Sequence, residues 1–247
     1  SNAWTAIRQR VIDVSAKIDD TWSEKVEEAL EDAGIEGKAL WRQEKKGSDL
    51  EDSIELEMQK TEVKVFADAA RKIFDEARNI LAKDFLCTQC KAKLEVPEQF
   101  FRSVHVTCQY CTTVNTFEPG GKVRAVEHFC THHLCSETAW DEYVAMFEAE
   151  KVVRDAHRRL DEMSDDEREA LEEAAEESGG PEPGDSTLAE LKVQETATRA
   201  YWTSYLKKHV EIIPEYEENF ERELAARLKP FYETMADHDV WQANADN

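Results

Sequence analysis

Apolar residues recur at intervals of three and four over most of the chain, which is the spacing that lines one face of an α-helix. The first such stripe runs from Trp4 to Ala33 and stops at Gly34 and Gly37. Between its ends the apolar positions are Ile7, Val11, Val14, Ile18, Trp22, Val26 and Leu30. The stripe predicts a helix about 45 Å long, because each residue adds roughly 1.5 Å.

A second stripe leads from Ile54 to Leu81 through Met58, Val65, Ala69, Ile73, Ala77 and Ile80. The segment between the stripes, residues 34–50, shows no such period and is expected to be irregular. Ser48 or Asp49 is a suitable N-cap for the second helix. We expect the two helices to pack antiparallel, since neither can bury its stripe alone.

The C-terminal half has the same helical pattern. A short helix is expected near residues 122–135, and Ser136 is a plausible cap for a longer helix that follows. Residues 161–178 hold ten acidic residues and one arginine, which is typical of a solvated helix or a linker. Two more helices are expected, one from Leu188 to Ile213, stopped by Pro214, and one from Glu215 to about Ala236, kinked or interrupted by Pro230.

Composition and charge narrow the class of protein. The chain has 247 residues, 41% of them apolar, with only eight glycines and six prolines, which favours a folded and mostly helical protein. A formal charge of −23 argues against non-specific binding to nucleic acid or anionic membranes and favours a well-solvated surface or a basic protein partner. No apolar run is long enough to span a membrane, and Ser1-Asn2-Ala3 resembles the remnant of a cleaved tag. We therefore expect a cytoplasmic protein whose native N-terminus differs.

Six cysteines lie between positions 87 and 135, and four of them form two Cys-x-x-Cys pairs separated by seventeen residues. A disulfide framework is typical of short secreted chains, whereas this chain is long and has helices of its own. A thioredoxin-like site would use one pair at the start of a helix, but here two pairs flank alternating apolar residues. Four thiolates from two tight turns, joined by a hairpin, suit tetrahedral zinc. The predicted ligands of one structural Zn²⁺ per chain are Cys87, Cys90, Cys108 and Cys111.

These residues resemble the four-cysteine zinc-ribbon domains of bacterial and archaeal proteins. The likeness covers about residues 85–117, with Phe85 before the first pair, a Val-Pro turn at Val96, and Val-x-Cys-x-Tyr-Cys closing the site. It implies the same four cysteines as zinc ligands. The sequence departs from the pattern at Lys91 and Thr112, where ribbons usually carry glycine. No family is recognised for the helical remainder.

Cys130 and Cys135 stand beside His128, His132 and His133. On a helix His128 and His132 would share a face and, with a cysteine, could hold a second metal. The alternative is that Cys130 and Leu134 pack inward while the histidines cover the base of the ribbon. We favour the second interpretation and expect both cysteines to be free thiols. His105 is expected to be an ordinary strand residue.

The predicted fold is mainly α, with long antiparallel helices in a bundle or in hairpins and a small inserted β zinc ribbon. The expected segments are a helical hairpin over 4–83, the ribbon over 84–119, helices returning to the core over 120–163, an acidic helix or linker over 164–186, and a C-terminal helical hairpin over 187–240.

Three classes of function fit this organisation. The first, which we favour, is a non-enzymatic scaffold protein that uses the ribbon as a rigid contact surface for another protein. The second is a transcription-linked or nucleic-acid-associated factor, since factors that enter the secondary channel of bacterial RNA polymerase have a similar architecture. The third is a metalloenzyme with its site at His128, His132 and His133. From Asp84 to Arg124 the chain carries five basic residues (Lys91, Lys93, Arg102, Lys122, Arg124) against four acidic ones, so we expect no direct binding to nucleic acid. Exposed Phe100 and Phe101 would favour a protein contact.

Overall fold

The structure is a computed structural model, mainly helical, with two small antiparallel sheets. It describes residues 2–35, 37–95, 102–161 and 183–245, together with 163, 164, 168, 170 and 173 of the acidic tract. Val96, Phe100, Phe101 and most of the predicted acidic linker therefore lie outside the described residues. Within the described part of the chain no helix is both long and apolar enough to cross a membrane.

The chain divides into two compact units, residues 1–66 and residues 67–247. The helices and strands, in chain order, are α1 (Asn2–Thr21), a π-helical turn (Trp22–Glu27), α2 (Glu28–Asp32), α3 (Gly37–Leu81), β1 (Phe85–Leu86), β2 (Lys93–Leu94), β3 (Val104–Thr107), β4 (Val114–Phe117), α4 (Gly121–Ala125), a second π-helical turn (Val126–Cys130), α5 (Thr131–Thr138), α6 (Trp140–Asp161), α7 (Pro183–Ile212), a 3₁₀ turn (Pro214–Asn219) and α8 (Phe220–Ala245). Helix α3 continues from the first unit into the second.

In the first unit, residues of the first helical stretch contact α3 at two places. The Trp4 indole donates a hydrogen bond of 3.1 Å to the Glu62 carboxylate. The Trp4 ring also meets the Phe66 ring edge-on at 6.2 Å. In the π-helical turn that follows α1, the Trp22 ring lies directly against Gly47 of α3. Both contacts lie within the first unit.

The segment predicted to be irregular is helical instead. The first helical stretch does stop at Gly34, whose φ of +71° lies in the left-handed region that glycine tolerates. Gly37, however, begins α3, so this helix starts well before Ser48 and Asp49. Gly47 lies inside this helix. A larger residue would collide with Trp22 there, because an added Cβ would lie 2.9 Å from Trp22 Cδ1. Within the segment predicted to be irregular, Gly47 is thus a helical residue in contact with an aromatic ring.

Two apolar clusters lie among the helices of the second unit. One joins the end of α3 to the residues after the cysteine pairs and to the end of α7, and its members are Ala70, Ala77, Val123, Val126, Cys130, Leu134, Cys135, Ile212 and Ile213. The other lies between α7 and α8 around Leu206, Leu224 and Leu228. We call the first of these the base cluster.

The C-terminal helices differ from the sequence prediction at two residues. Ser136 is buried inside α5 and is not an N-cap, because the helical course is broken instead at Ala139, with φ −95° and ψ 19°. Pro230 lies inside α8, which continues past it to Ala245. The stop at Pro214 is confirmed, since α7 ends at Ile212 and a 3₁₀ turn begins at Pro214.

We predict that Gly47→Ala destabilises the protein. Alanine is favoured over glycine in a helix by about 1 kcal/mol, but the new methyl group would overlap the Trp22 ring, and relieving such an overlap typically costs about 1–3 kcal/mol. Urea denaturation followed by circular dichroism should give a lower free energy of unfolding for the variant. Gly121→Ala is the control, since its Cβ would have no neighbour within 4 Å, and it should be neutral or stabilising. A Gly47→Ala protein more stable than wild type would contradict the contact.

Candidate metal centre

Each Cys-x-x-Cys pair lies in the turn of its own hairpin. Strand β1 pairs antiparallel with β2 on either side of Cys87 and Cys90, and β3 pairs with β4 on either side of Cys108 and Cys111. Among the described residues β2 pairs with β1 and not with β3, so the hairpin expected between the two cysteine pairs is not the pairing that the structure has. The reason is that the cysteine turn itself reverses the chain.

The two cysteine turns repeat the same hydrogen bonds. In the first, the Cys87 amide donates to the Ala92 carbonyl (2.8 Å) and the Lys91 amide to the Cys87 carbonyl (3.1 Å). In the second, the Cys108 amide donates to Thr113 and the Thr112 amide to Cys108, both at 2.9 Å. The strand register also repeats, since Phe85 faces Leu94 as Val106 faces Asn115. The two hairpins are thus approximate copies of each other.

Lys91 and Thr112 take the backbone conformation for which glycine is usual. Their φ angles are 60° and 58°, the positive values recorded for non-glycine residues among those the structure describes. A left-handed conformation costs a residue with a Cβ roughly 1–2 kcal/mol, and for a β-branched residue such as Thr112 it is a true outlier. The turns therefore keep their shape despite the absent glycines, at a cost in free energy.

The four sulfur atoms of these turns converge. All four lie within 4.8 Å of one another, with Cys87 Sγ 3.6 Å from Cys111 Sγ and Cys90 Sγ 3.5 Å from Cys108 Sγ. A tetrahedron with metal–sulfur bonds of about 2.3 Å has edges of about 3.8 Å. The observed separations bracket that value, so the four cysteines are close enough to hold a metal ion.

Hydrogen bonds around the sulfurs favour thiolate at two of the four positions. The Cys90 backbone N–H is the main cause that lowers the pKa of Cys87 to about 6, with help from Gln89, Cys111 and Asn115. The Thr113 hydroxyl and backbone lower the pKa of Cys111. The Ala92 N–H acts in the same direction on Cys90, but the neighbouring thiols and burial outweigh it and raise the pKa of Cys90 to about 12.

A small apolar cluster supports the sulfurs. Cys87, Cys108 and Leu94 are buried, and Phe85, Ala92, Val106 and Cys111 pack against them. Phe85 also meets Phe117 of β4 edge-on, with ring centroids 5.3 Å apart. These contacts join the first hairpin to the second. They include few large side chains, so the sulfurs themselves form much of the interior.

Charged groups connect this region to the helices of the second unit. Arg102 pairs with Glu127 of the π-helical turn, and Lys122 pairs with Glu76 of α3, each at 2.6 Å. Arg124 contacts Glu118 at 2.8 Å and the Ser103 hydroxyl at 2.9 Å. Arg102, Lys122 and Arg124 therefore each have an acidic partner.

Among the described residues, His128, His132 and His133 do not form a potential metal site with Cys130 and Cys135. Cys130 and Cys135 are fully buried in the base cluster and are free thiols. Burial raises the pKa of both, that of Cys135 to about 12. His132 Nδ1 is 2.9 Å from the Tyr205 hydroxyl, and His128 and His132 are exposed. Across the described ranges, the set of histidine, cysteine and carboxylate side chains close enough to hold a metal is the cysteine tetrad alone. His105 lies in β3 beside Thr116.

Asn115 is the site residue to which no sequence motif points. It lies in β4 with 2% of its surface exposed, and its side chain contacts Cys87, Thr88 and Thr113. Its position in the sequence could have identified it, because Asn115 follows Cys108 by as many residues as Leu94 follows Cys87. Because the counterpart Leu94 is apolar and buried, a polar residue at position 115 is expected to be buried too and to need a hydrogen-bond partner.

Comparison with known protein families, with curated proteins and with solved structures finds no match. The ribbon resemblance therefore rests on its motif, beside the geometry of the four sulfurs.

We predict that Thr112→Gly stabilises the metal-loaded site. Glycine removes the cost of the left-handed conformation but loses about 0.5–1 kcal/mol to the freedom of the unfolded chain. The expected net gain is about 0.5–1 kcal/mol, measured as a higher midpoint for thermal loss of cobalt–thiolate absorbance in the Co²⁺-loaded protein. Thr116→Gly makes the same change on the neighbouring strand, where φ is ordinary, and should lower that midpoint. Equal effects of both changes would contradict a local backbone cost at Thr112.

Proposed function

We propose that residues 85–117 form a zinc ribbon that binds one structural Zn²⁺ per chain through Cys87, Cys90, Cys108 and Cys111. The observation that carries the proposal is the convergence of four cysteine sulfurs within 4.8 Å of one another. Four thiolates complete a tetrahedral shell and leave no position for substrate or water, which is the arrangement of structural zinc sites.

A single iron ion is the competing occupant, because tetrahedral sulfur sites suit both zinc and iron. Zinc is favoured by the absence of any redox requirement in the proposed role. Elemental analysis of the purified protein distinguishes the two, and an iron–thiolate centre would also be coloured. One zinc per chain is the expected result.

We further infer that α1 and the first part of α3 form an antiparallel hairpin. The contacts of Trp4 with Glu62 and Phe66 and of Trp22 with Gly47 support this arrangement. The helices of the second unit would form the support on which the ribbon stands. In chain order, the strands of the proposed ribbon come between α3 and α4.

The proposed role of the ribbon is to present a rigid surface to another protein. Three of its apolar side chains are largely exposed: Tyr110 (80%), Val114 (61%) and Leu86 (47%). Tyr110 lies within the second cysteine turn, where a bound metal would fix the backbone. Exposed tyrosines on a rigid backbone are common contributors to protein–protein binding, because they bury a large area at little entropic cost. We expect this protein to act in a reducing, cytoplasmic compartment.

Two alternatives have less support. Direct binding to nucleic acid would need cations free to meet phosphates, whereas Arg102, Lys122 and Arg124 are each paired with a carboxylate. A metalloenzyme at the histidines would need a further donor close by, and His132 instead contacts Tyr205. A scaffold protein that is not an enzyme remains our preferred hypothesis.

We predict that removing the metal unfolds the ribbon and leaves the helices folded. The ribbon's own apolar cluster is small, while ordering about thirty residues costs roughly 1–2 kcal/mol each in backbone entropy. Binding of structural zinc contributes on the order of 10 kcal/mol. After chelation, or in Cys90→Ser, hydrogen exchange should become fast within residues 85–117. The far-UV helical signal and the main thermal transition should persist. Loss of the whole fold in one transition would show that the ribbon belongs to the main core.

We also predict that partner binding depends on the tip of the ribbon. Pull-downs from the native host should compare wild type with Cys108→Ser and Tyr110→Ala. The proteins retained by wild type should be lost from both variants. Val193→Ala is the control, since Val193 is also a largely exposed apolar residue (62%, against 80% for Tyr110) but lies on α7, and it should bind as wild type does. Binding that survives Cys108→Ser would move the contact surface to the helices.

A further inference from the structure

The side chain of Asn115 is buried between the two cysteine turns with each of its polar atoms engaged. Its Oδ1 accepts hydrogen bonds from the backbone N–H and the hydroxyl of Thr88, both at 2.9 Å. Its Nδ2 donates to the Thr113 carbonyl at 2.9 Å and lies 3.6 Å from Cys87 Sγ. Thr88 belongs to the first turn and Thr113 to the second. One amide therefore bridges the two halves of the cysteine site.

The orientation of this amide follows from its neighbours. The Thr88 backbone N–H can only donate a hydrogen bond and the Thr113 carbonyl can only accept one. The oxygen of Asn115 must therefore face Thr88, and the nitrogen must face Thr113 and Cys87. The group that approaches Cys87 Sγ is consequently an N–H donor, which stabilises a thiolate more than a thiol.

Comparison of the two hairpins shows that only the second one has this N–H donor. The register that places Asn115 opposite Val106 places Leu94 opposite Phe85 in the first hairpin. Leu94 is also buried (5% exposed) but packs among Cys87 and Cys108 as an apolar residue. A leucine at both positions would satisfy packing alone. The asparagine adds a hydrogen bond to one sulfur and a connection between the turns.

We propose that Asn115 is a positioning residue of the metal centre: it orients the Cys87 sulfur by an N–H···S hydrogen bond and fixes the first cysteine turn against the second. This inference rests on the proposed metal binding by the four cysteines. It adds a residue that the ligand motif does not contain. Hydrogen-bond partners of metal ligands commonly contribute 10- to 100-fold to metal affinity, and we assign a contribution of that size to Asn115.

The test uses the full chain loaded with Co²⁺ or Zn²⁺ and compares wild type with Asn115→Leu and Asn115→Ala. Both variants lack the amide, but they differ in volume, so an effect common to them comes from the lost hydrogen bonds. Leucine also reproduces the residue found in the other hairpin. Zn²⁺ affinity is measured by competition with a chelator, and the sulfur-to-cobalt charge-transfer bands are recorded at saturating Co²⁺. Partial alkylation followed by mass spectrometry identifies which cysteine reacts first.

We expect both variants to bind Zn²⁺ 10- to 100-fold more weakly than wild type, with shifted charge-transfer bands. Cys87 should be alkylated earlier, relative to the other three cysteines, than in wild type, because a metal-bound sulfur that loses its N–H donor is more nucleophilic. Thr88→Val removes one of the hydrogen bonds that hold the amide and should weaken binding in the same direction by a smaller factor. Thr116→Ala, on the same strand but exposed and beside His105, should match wild type in all three measurements.

The outcomes separate this inference from the proposed function. If wild type binds no metal, the proposed metal site itself is wrong and this inference falls with it. If wild type binds metal but Asn115→Leu and Asn115→Ala bind within about threefold of it, with unchanged cobalt bands, the metal site stands and the role of Asn115 is wrong. Weaker binding with unchanged bands and unchanged order of alkylation would also overturn the role, because it would indicate a loss of fold stability alone.

Discussion

Four sulfur atoms within 4.8 Å of one another form the constraint on which residues 85–117 depend. Four thiolates at such distances repel one another. Hydrogen bonds, chiefly from the Cys90 backbone N–H, lower the pKa of Cys87, whereas the neighbouring thiols and burial outweigh the Ala92 N–H and raise the pKa of Cys90. A divalent cation among them would replace repulsion with attraction and let all four sulfurs deprotonate. The strands on either side contribute few apolar contacts. The hairpins therefore need the sulfurs to be drawn together, and we propose a metal ion for that task.

The helices of the second unit depend on a different interaction. The base cluster is a continuous set of buried apolar side chains, and its members Val123, Val126 and Ile212 are almost inaccessible to solvent. Only three residues separate the end of β4 from α4, so the second hairpin runs almost directly into this cluster. Surface ion pairs such as Arg102 with Glu127 contribute little to stability, typically up to about 1 kcal/mol. Apolar burial therefore holds the residues that follow β4 in place more strongly than the ion pairs do.

The sequence predicts the cysteine cluster because its chemistry is local: two short turns with fixed spacing limit where the sulfurs can go. It predicts the helical stretches because apolar residues spaced by three and four line one face of a helix, whatever that helix packs against. It fails where a residue serves a distant neighbour. Residues 34–50 are predicted to be irregular because the contact of Gly47 with Trp22 spans 25 positions, and Ser136 is predicted to be an N-cap because its burial in α5 is not visible in the local sequence. The pairing of β1 with β2 is missed because the cysteine turns are themselves hairpin turns.

The difference between the two hairpins bears on what the site does. Where they match, in turn hydrogen bonds and register, they serve the geometry that four converging sulfurs require. Where they differ, the second hairpin carries the additional features: buried Asn115 toward Cys87, and exposed Tyr110 and Val114 toward solvent. A metal site that only held the two turns together would need neither the buried asparagine nor the exposed apolar side chains. A backbone held firmly on its inner side and carrying an aromatic ring on its outer side is suited to binding a protein, because the ring loses little further freedom on contact. The second cysteine turn is therefore the part of the molecule in which metal binding and recognition would be physically coupled.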